Sequence, residues 1–156
     1  MDKISEEVLL TERSYVTSLR ALVSLYLQPL RAAHEGAPVL EEDTVKLIFG
    51  NVDQVLEVNE LFLADLEEKM KHWEGLMDVS SHEAISVCIR RYVPFFKIYG
   101  GYSAGYMKAI ETIALVSKSN EAFAEWLNAC NQTSGSTLPS LLILPVQRVP
   151  RYKLLV

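Results

Sequence analysis

The chain has 156 residues, 49% of them hydrophobic and 22% charged, which suits one domain with a sizeable core. Its formal net charge of −5 argues against nucleic acid or anionic lipid as the main partner, since both require a basic face. No apolar run reaches the roughly 20 residues of a membrane span, and the opening MDKISEE lacks the basic and apolar regions of a signal peptide.

The apolar spacing predicts five helical stretches and no strand, hence an all-α class, an elongated helical bundle. The first helix spans about residues 2–33. Ile4, Val8, Tyr15, Leu19, Leu22 and Tyr26 form its apolar stripe, widened by Val16, Val23 and Leu27. Pro29 should kink or end it, and AHEGAP at 33–38 is a loop by composition. The second helix spans about residues 41–72, with Val45, Ile48, Phe49, Val52, Leu56, Leu63 and Leu66 inward and a bend at Gly50-Asn51. A looser link follows at 73–82, in which Ser80 or Ser81 is placed to cap the next helix.

The third helix spans about residues 83–117, interrupted at Pro94 and at Gly100-Gly101. Tyr92, Phe95, Phe96, Tyr99, Tyr102 and Tyr106 recur in it at helical spacing and read as core. A short fourth helix starts near Asn120, with Phe123, Trp126, Leu127 and Cys130 on one face. NQTSGST at 131–137 reads as a loop whose Thr137 caps the final helix. Cys88 and Cys130 stand in no CxxC pattern and read as two free buried thiols in a reducing compartment.

The last segment, LPSLLILPVQRVPRYKLLV at 138–156, carries most of the information. Leu138, Leu141, Leu142, Val149, Tyr152 and Val156 recur at helical spacing, although Pro145 and Pro150 interrupt the pattern. A proline in a helix interior costs roughly 3 kcal/mol, so two in six residues demand a reason. Ile143, Gln147 and Arg151, spaced i, i+4, i+8, share the opposite and mostly polar face.

This segment resembles the third conserved block of the Dbl-homology (DH) domain of Rho-family guanine-nucleotide exchange factors, P-x-Q-R-[IV]-x-[KR]-Y-x-L-L. EEVLLTERSYVTSLRAL from Glu6 to Leu22 is similar to the first block, E-x-x-x-T-E-x-x-Y-[VT]-x-x-L. LIFGNVDQVLEVNELFLADLEEKM (Leu47 to Met70) and RRYVPFFKIYGGYSAGY (Arg90 to Tyr106) resemble the family's second helical segment and its Tyr/Phe-rich stretch, in the same order. The resemblance covers essentially the whole chain. It implies that the last helix is continuous but kinked, and that the family continues it and adds another long helix. The chain is therefore expected to be a DH domain over residues 1–156 that is incomplete at its C-terminus.

The resemblance further implies a guanine-nucleotide exchange catalyst without covalent chemistry and without a cofactor. Its partner would be a Rho-family small GTPase. Glu7, four residues before the Thr11-Glu12 pair, would contact switch I, and Arg151, where the family mostly has lysine, would contact switch II. Gln147 shares that face, and Thr11 lies in the polar row of Glu7, Ser14 and Ser18. Arg148 reads equally as a contact or as an intradomain ion-pair former. Ile143 occupies a position by which the family distinguishes GTPases, and isoleucine leans towards a Rac-like partner. No nucleic acid and no direct membrane contact are expected. A cytoplasmic location, recruitment through other domains and a following pleckstrin-homology domain are implied in the same way. Without the resemblance, Glu7 is a first-turn acid favouring the helix dipole and Arg151 an exposed base.

Other chemistries lack their residues. His34, His72 and His82 have no metal-ligand spacing, no Glu-x-x-His pair suggests a di-iron bundle, and no Gly-x-x-x-x-Gly-Lys loop cradles a nucleotide. The alternative from another class is a non-catalytic helical scaffold that binds a GTPase or another signalling partner.

Overall fold

The computed structural model describes residues 3–32, 36–73 and 81–155. Among them there are only helices, joined by short turns, as the all-α reading requires. The expected cap at Ser80, and the histidine His34, lie outside the described residues.

The first helix runs without a break from α1 (Lys3–Ala21) through a π-helical turn (Leu22–Leu27) into α2 (Gln28–Arg31). The helix continues past Pro29 and ends at Arg31, two residues later. The reason it continues lies in the turn before the proline. Gln28 donates its N–H to the Val23 carbonyl, five residues back, so the wide turn ends where the proline has no N–H to give. The Leu25 carbonyl, four residues before Pro29, accepts the Cys130 thiol at 3.6 Å. The stripe is buried from Val8 to Leu30, but Ile4 is 55% exposed and does not belong to it.

The second stretch is two helices, α3 (Glu42–Phe49) and α4 (Val52–Trp73). Gly50 separates them with φ 53 and ψ −133 and returns its N–H to the Lys46 carbonyl. That combination is open essentially to glycine alone. Gly50→Ala should therefore lose about 1–3 kcal/mol in thermal or urea unfolding, although its new methyl has room beside the Tyr102 ring, 3.6 Å away.

The third stretch divides into α5 (Ser81–Tyr92), a 3₁₀ turn (Val93–Lys97) around Pro94, and α6 (Ile98–Ser119). Gly100 and Gly101 lie inside α6 and interrupt nothing. Buried Tyr99 and Tyr102 flank them and anchor the helix through tertiary packing, which outweighs the weak glycine propensity. Of the six aromatics expected in the core, Tyr99 and Tyr102 are buried and Phe95 is 56% exposed. The other three are half-buried.

Asn120 caps α7 (Glu121–Ser134) by accepting the Phe123 N–H at 3.0 Å. The presumed loop at 131–137 is mostly helix, ended by left-handed Gly135 at φ 71. Asn131 is not a loop residue. Its Oδ1 accepts from the Tyr26 hydroxyl at 2.9 Å and from the Leu138 N–H at 3.1 Å, tying α7 to the π turn and to the next helix. Thr137 caps α8 (Leu138–Leu142) reciprocally with Ser140. After a single-residue break at Ile143 comes α9 (Leu144–Leu155). Pro139 and Pro145 occupy first-turn positions of α8 and α9, where no N–H is needed, so of these three prolines only Pro150 lies in a helix interior.

α1 packs on α4, α4 on α5, α3 on α6, and α6 on both α7 and α9. Two apolar clusters result, one around Tyr26, Phe49 and Phe123, the other around Val16, Phe62, Leu66 and Ile89, with Leu56 and Phe96 touching both. Both cysteines are free, Cys88 buried as expected but Cys130 only half-buried. Burial, aided by the neighbouring Asp65 carboxylate, pushes the Cys88 thiol up to about 12.

Candidate functional site

α1 and α9 lie side by side, and a groove runs between them. Its wider part, about 490 Å³, is lined by Thr11, Ser14 and Ser18 of α1 and by Gln147 and Arg151 of α9. An adjoining hollow of about 230 Å³ is lined by Glu7, Thr11, Arg151 and Leu154. The polar row read along α1 and the polar face read along α9 thus meet across one depression. Both rows are on the surface because each helix turns its apolar stripe inward.

Glu7, Gln147 and Arg151 are exposed, and Thr11 is half-buried with its hydroxyl donating to the Val8 carbonyl at 3.1 Å. Glu7 and Arg151 line the same hollow, yet among the described residues neither has an ion-pair partner. Ile143 sits half-buried at the α8–α9 break, one turn before Gln147, and lines neither hollow. His72 stands apart, bonded to the Glu68 carbonyl of its own helix.

Arg148 is placed differently from its neighbours. Its side chain is 5% exposed and pairs with Glu12, which is fully buried. Nε and Nη2 both donate to Oε2 of Glu12, at 3.0 and 2.5 Å. The structure thus shows the intradomain ion pair that was one of the two readings of Arg148, and the same residue lines the floor of the groove. Its guanidinium also rests 5.5 Å from the Tyr15 ring centre and 4.9 Å from that of Tyr152.

The ion pair belongs to a larger buried network. The Tyr152 hydroxyl donates to the Glu12 carboxylate, 2.7 and 2.9 Å from its oxygens. Asn59 of α4 donates to the Tyr99 hydroxyl at 2.5 Å and to the Val55 carbonyl at 2.7 Å. The Tyr15 and Tyr99 hydroxyls bond each other at 2.8 Å. Burial pushes the Glu12 carboxyl upward, and the Arg148 charge with the Tyr152 and Arg148 donors pulls it back. Burial holds the Tyr15, Tyr99 and Tyr152 phenols above their ordinary value, so all three remain neutral donors. Among the described residues no buried side-chain polar atom lacks a partner.

Sequence reasoning missed Glu12, Asn59 and the Tyr152 hydroxyl. The signal was present: Glu12 lies between Val8 and Val16 in the apolar stripe, Asn59 between Val55 and Leu63, and Arg148 one turn before Tyr152. Polar residues inside three inward stripes announce a shared buried network. Among the described residues no group of acids, histidines or cysteines could hold a metal ion, and no helix is long and apolar enough to cross a membrane.

A family model described as the RhoGEF domain matches residues 4–156. Human "FYVE, RhoGEF and PH domain-containing protein 2" is 31% identical over 157 residues, covering 98% of this chain and 23% of its own length. Human "Rho guanine nucleotide exchange factor TIAM2" is 32% identical over 162 residues, covering 98% of this chain and 9% of its own length. The chain thus spans under a quarter of these relatives. Among solved structures, the activated truncation of Vav1 superposes with a TM-score of 0.83 at 25% identity, covering 97% of this chain and 36% of that one. The DH/PH domains of p115-RhoGEF superpose with a TM-score of 0.80 at 22% identity, covering 98% and 44%, a likeness of fold.

Proposed function

We propose, from the premise that this chain belongs to the RhoGEF domain family, that it binds the switch regions of a Rho-family small GTPase and promotes GDP release and GTP loading. No covalent bond changes in this process. The switch loops of a GTPase are bistable, ordered by phosphate and Mg²⁺. A protein that prefers the remodelled switches shifts them by its differential affinity and no more. Glu7 acts on switch I, Arg151 and Gln147 on switch II, and Thr11 supports the contact. Ile143, at the edge of the same face, helps to choose the GTPase, with a lean to Rac-like partners.

The observation that carries this reading is the pairing pattern in the groove. An acid and a base line one hollow without pairing with each other, while the next charged pair, Glu12 and Arg148, is buried and fully satisfied. The unpaired charges are available to a partner that brings its own complement. A pleckstrin-homology domain beside this one in the parent chain is part of the same proposal. It is supported by relatives whose names join the two domains.

The test is release of a fluorescent nucleotide from a panel of Rho-family GTPases. Accelerated release from at least one member is expected, and tight binding without release would replace exchange by scaffolding. Within that assay Arg151→Ala should slow release and Arg151→Lys should largely retain it, because lysine is the commoner residue in the motif this segment resembles. A lysine variant as poor as the alanine one would show that the forked guanidinium geometry is in use.

A further inference from the structure

We propose, building on the exchange reading above, that Glu12, Arg148 and Tyr152 are positioning residues whose buried bonds set the rotation of α9 against α1. They thereby hold Glu7 and Arg151 at their working separation. The helices themselves leave that rotation weakly determined. α9 is set off from α8 by one turn residue, Ile143, which keeps helical dihedrals, and Pro150 has no N–H for the Val146 carbonyl. Apolar packing alone tolerates slippage, since hydrophobic contact is not directional.

The Glu12 carboxylate is directional. It receives Nε and Nη2 of Arg148 from one side and the Tyr152 hydroxyl from one turn further along α9. Two attachment points a turn apart fix both the rotation and the axial register of a helix. The Tyr152 ring is itself clamped, stacked on Phe96 at 4.8 Å and 7°. Thr11 adjoins Glu12 and Gln147 adjoins Arg148 in sequence, and Arg151 lies one turn beyond, so the lock sits directly beneath the groove. A dry ion pair is a poor source of stability compared with apolar residues of the same volume, and specifying one arrangement is its best-attested use.

The experiment separates position from stability. Spin labels at exposed Thr17 and Lys153, in a chain with Cys88 and Cys130 replaced by alanine, report the α1–α9 distance distribution. The native chain should give one narrow distance. The double variant Glu12→Leu/Arg148→Met should keep its helicity and nearly its melting temperature, yet broaden or shift that distance. Its nucleotide release at saturating GTPase should fall about tenfold to a hundredfold. Tyr152→Phe, which keeps the ring and removes one donor, should give a smaller change of the same kind. A folded double variant with the native distance distribution overturns the proposal. Should the double variant not fold, Tyr152→Phe decides it by the same distance. If the native chain releases nucleotide from no GTPase, only the exchange reading fails, because the distances judge the positioning independently.

Discussion

Replacing Glu7 by alanine should lower nucleotide exchange by about one to four decades while leaving the melting curve almost unchanged. The two halves of that expectation have separate grounds. Glu7 is exposed, has no ion-pair partner among the described residues, and lies in the first turns of α1, so the fold loses little with it. In the complex it would become one member of a desolvated charged contact, whose truncation costs about 2–5 kcal/mol. Felt at the step that expels nucleotide, that cost is the stated loss of rate. Release kinetics for native and variant chains against the same GTPase provide the measurement. Native exchange in the variant would remove Glu7 from the site.

Replacing Arg148 by alanine should do the opposite, damaging the fold first. The substitution leaves the Glu12 carboxylate fully buried with its cation gone, a situation that costs about 3–5 kcal/mol. For a chain of this length, that corresponds to roughly 6–20 °C in melting temperature. The pH dependence has a definite sign. Burial raises the Glu12 carboxyl, and removing Arg148 removes the opposing charge, so the folded variant holds this proton more tightly than the unfolded chain does. A carboxyl raised in the folded state favours folding below its unfolded value, and that contribution is lost as pH rises through the folded one. The deficit of Arg148→Ala should therefore be smaller near pH 4 than at neutral pH, and urea melts across that range will test it. Equal deficits at both ends would mean that water or another donor reaches the carboxylate.

Which parts of this architecture are visible in the sequence follows from what each signal measures. Apolar periodicity reports which face of a helix is inward, and it locates the stripes of α1 apart from Ile4, of α4, and of the last segment up to Tyr152, Val156 lying outside the described residues. The DH-type resemblance identified the fold and brought Glu7, Thr11, Gln147 and Arg151 together as candidates before any geometry. Breakers were read less well. Pro29 and Gly100-Gly101 look like interruptions, but a widened turn absorbs the first, and two buried tyrosines hold the second. The polar run at 131–137 looks like a loop because composition does not reveal that Gly135 alone performs the stop. The Glu12–Arg148–Tyr152 network escaped because its members lie 136 and 140 residues apart in sequence. Only a packed structure shows that three separate polar intrusions answer one another.

The π turn at Leu22–Leu27 has a consequence for how this domain can vary in length. Upstream of it the rod leans on α4, while the turn itself faces α7 and α8. An α-helix advances about 100° per residue, so one residue added or removed swings everything beyond it by that angle. The turn already holds one residue more than an α-helical path would, and so acts as a phase adjuster between two neighbourhoods of a single rod. Deleting one residue there would let the turn close into ordinary α geometry with Leu30 still in phase with Tyr15 and Leu19, whereas a deletion elsewhere in the rod would swing everything beyond it. A single-residue deletion should thus be better tolerated in this turn than in the α-helical parts of the rod, and Gly36, which opens the segment before α3, has open space around it. The groove end of the rod and its far end keep their mutual orientation because that one surplus residue is taken up within a single turn.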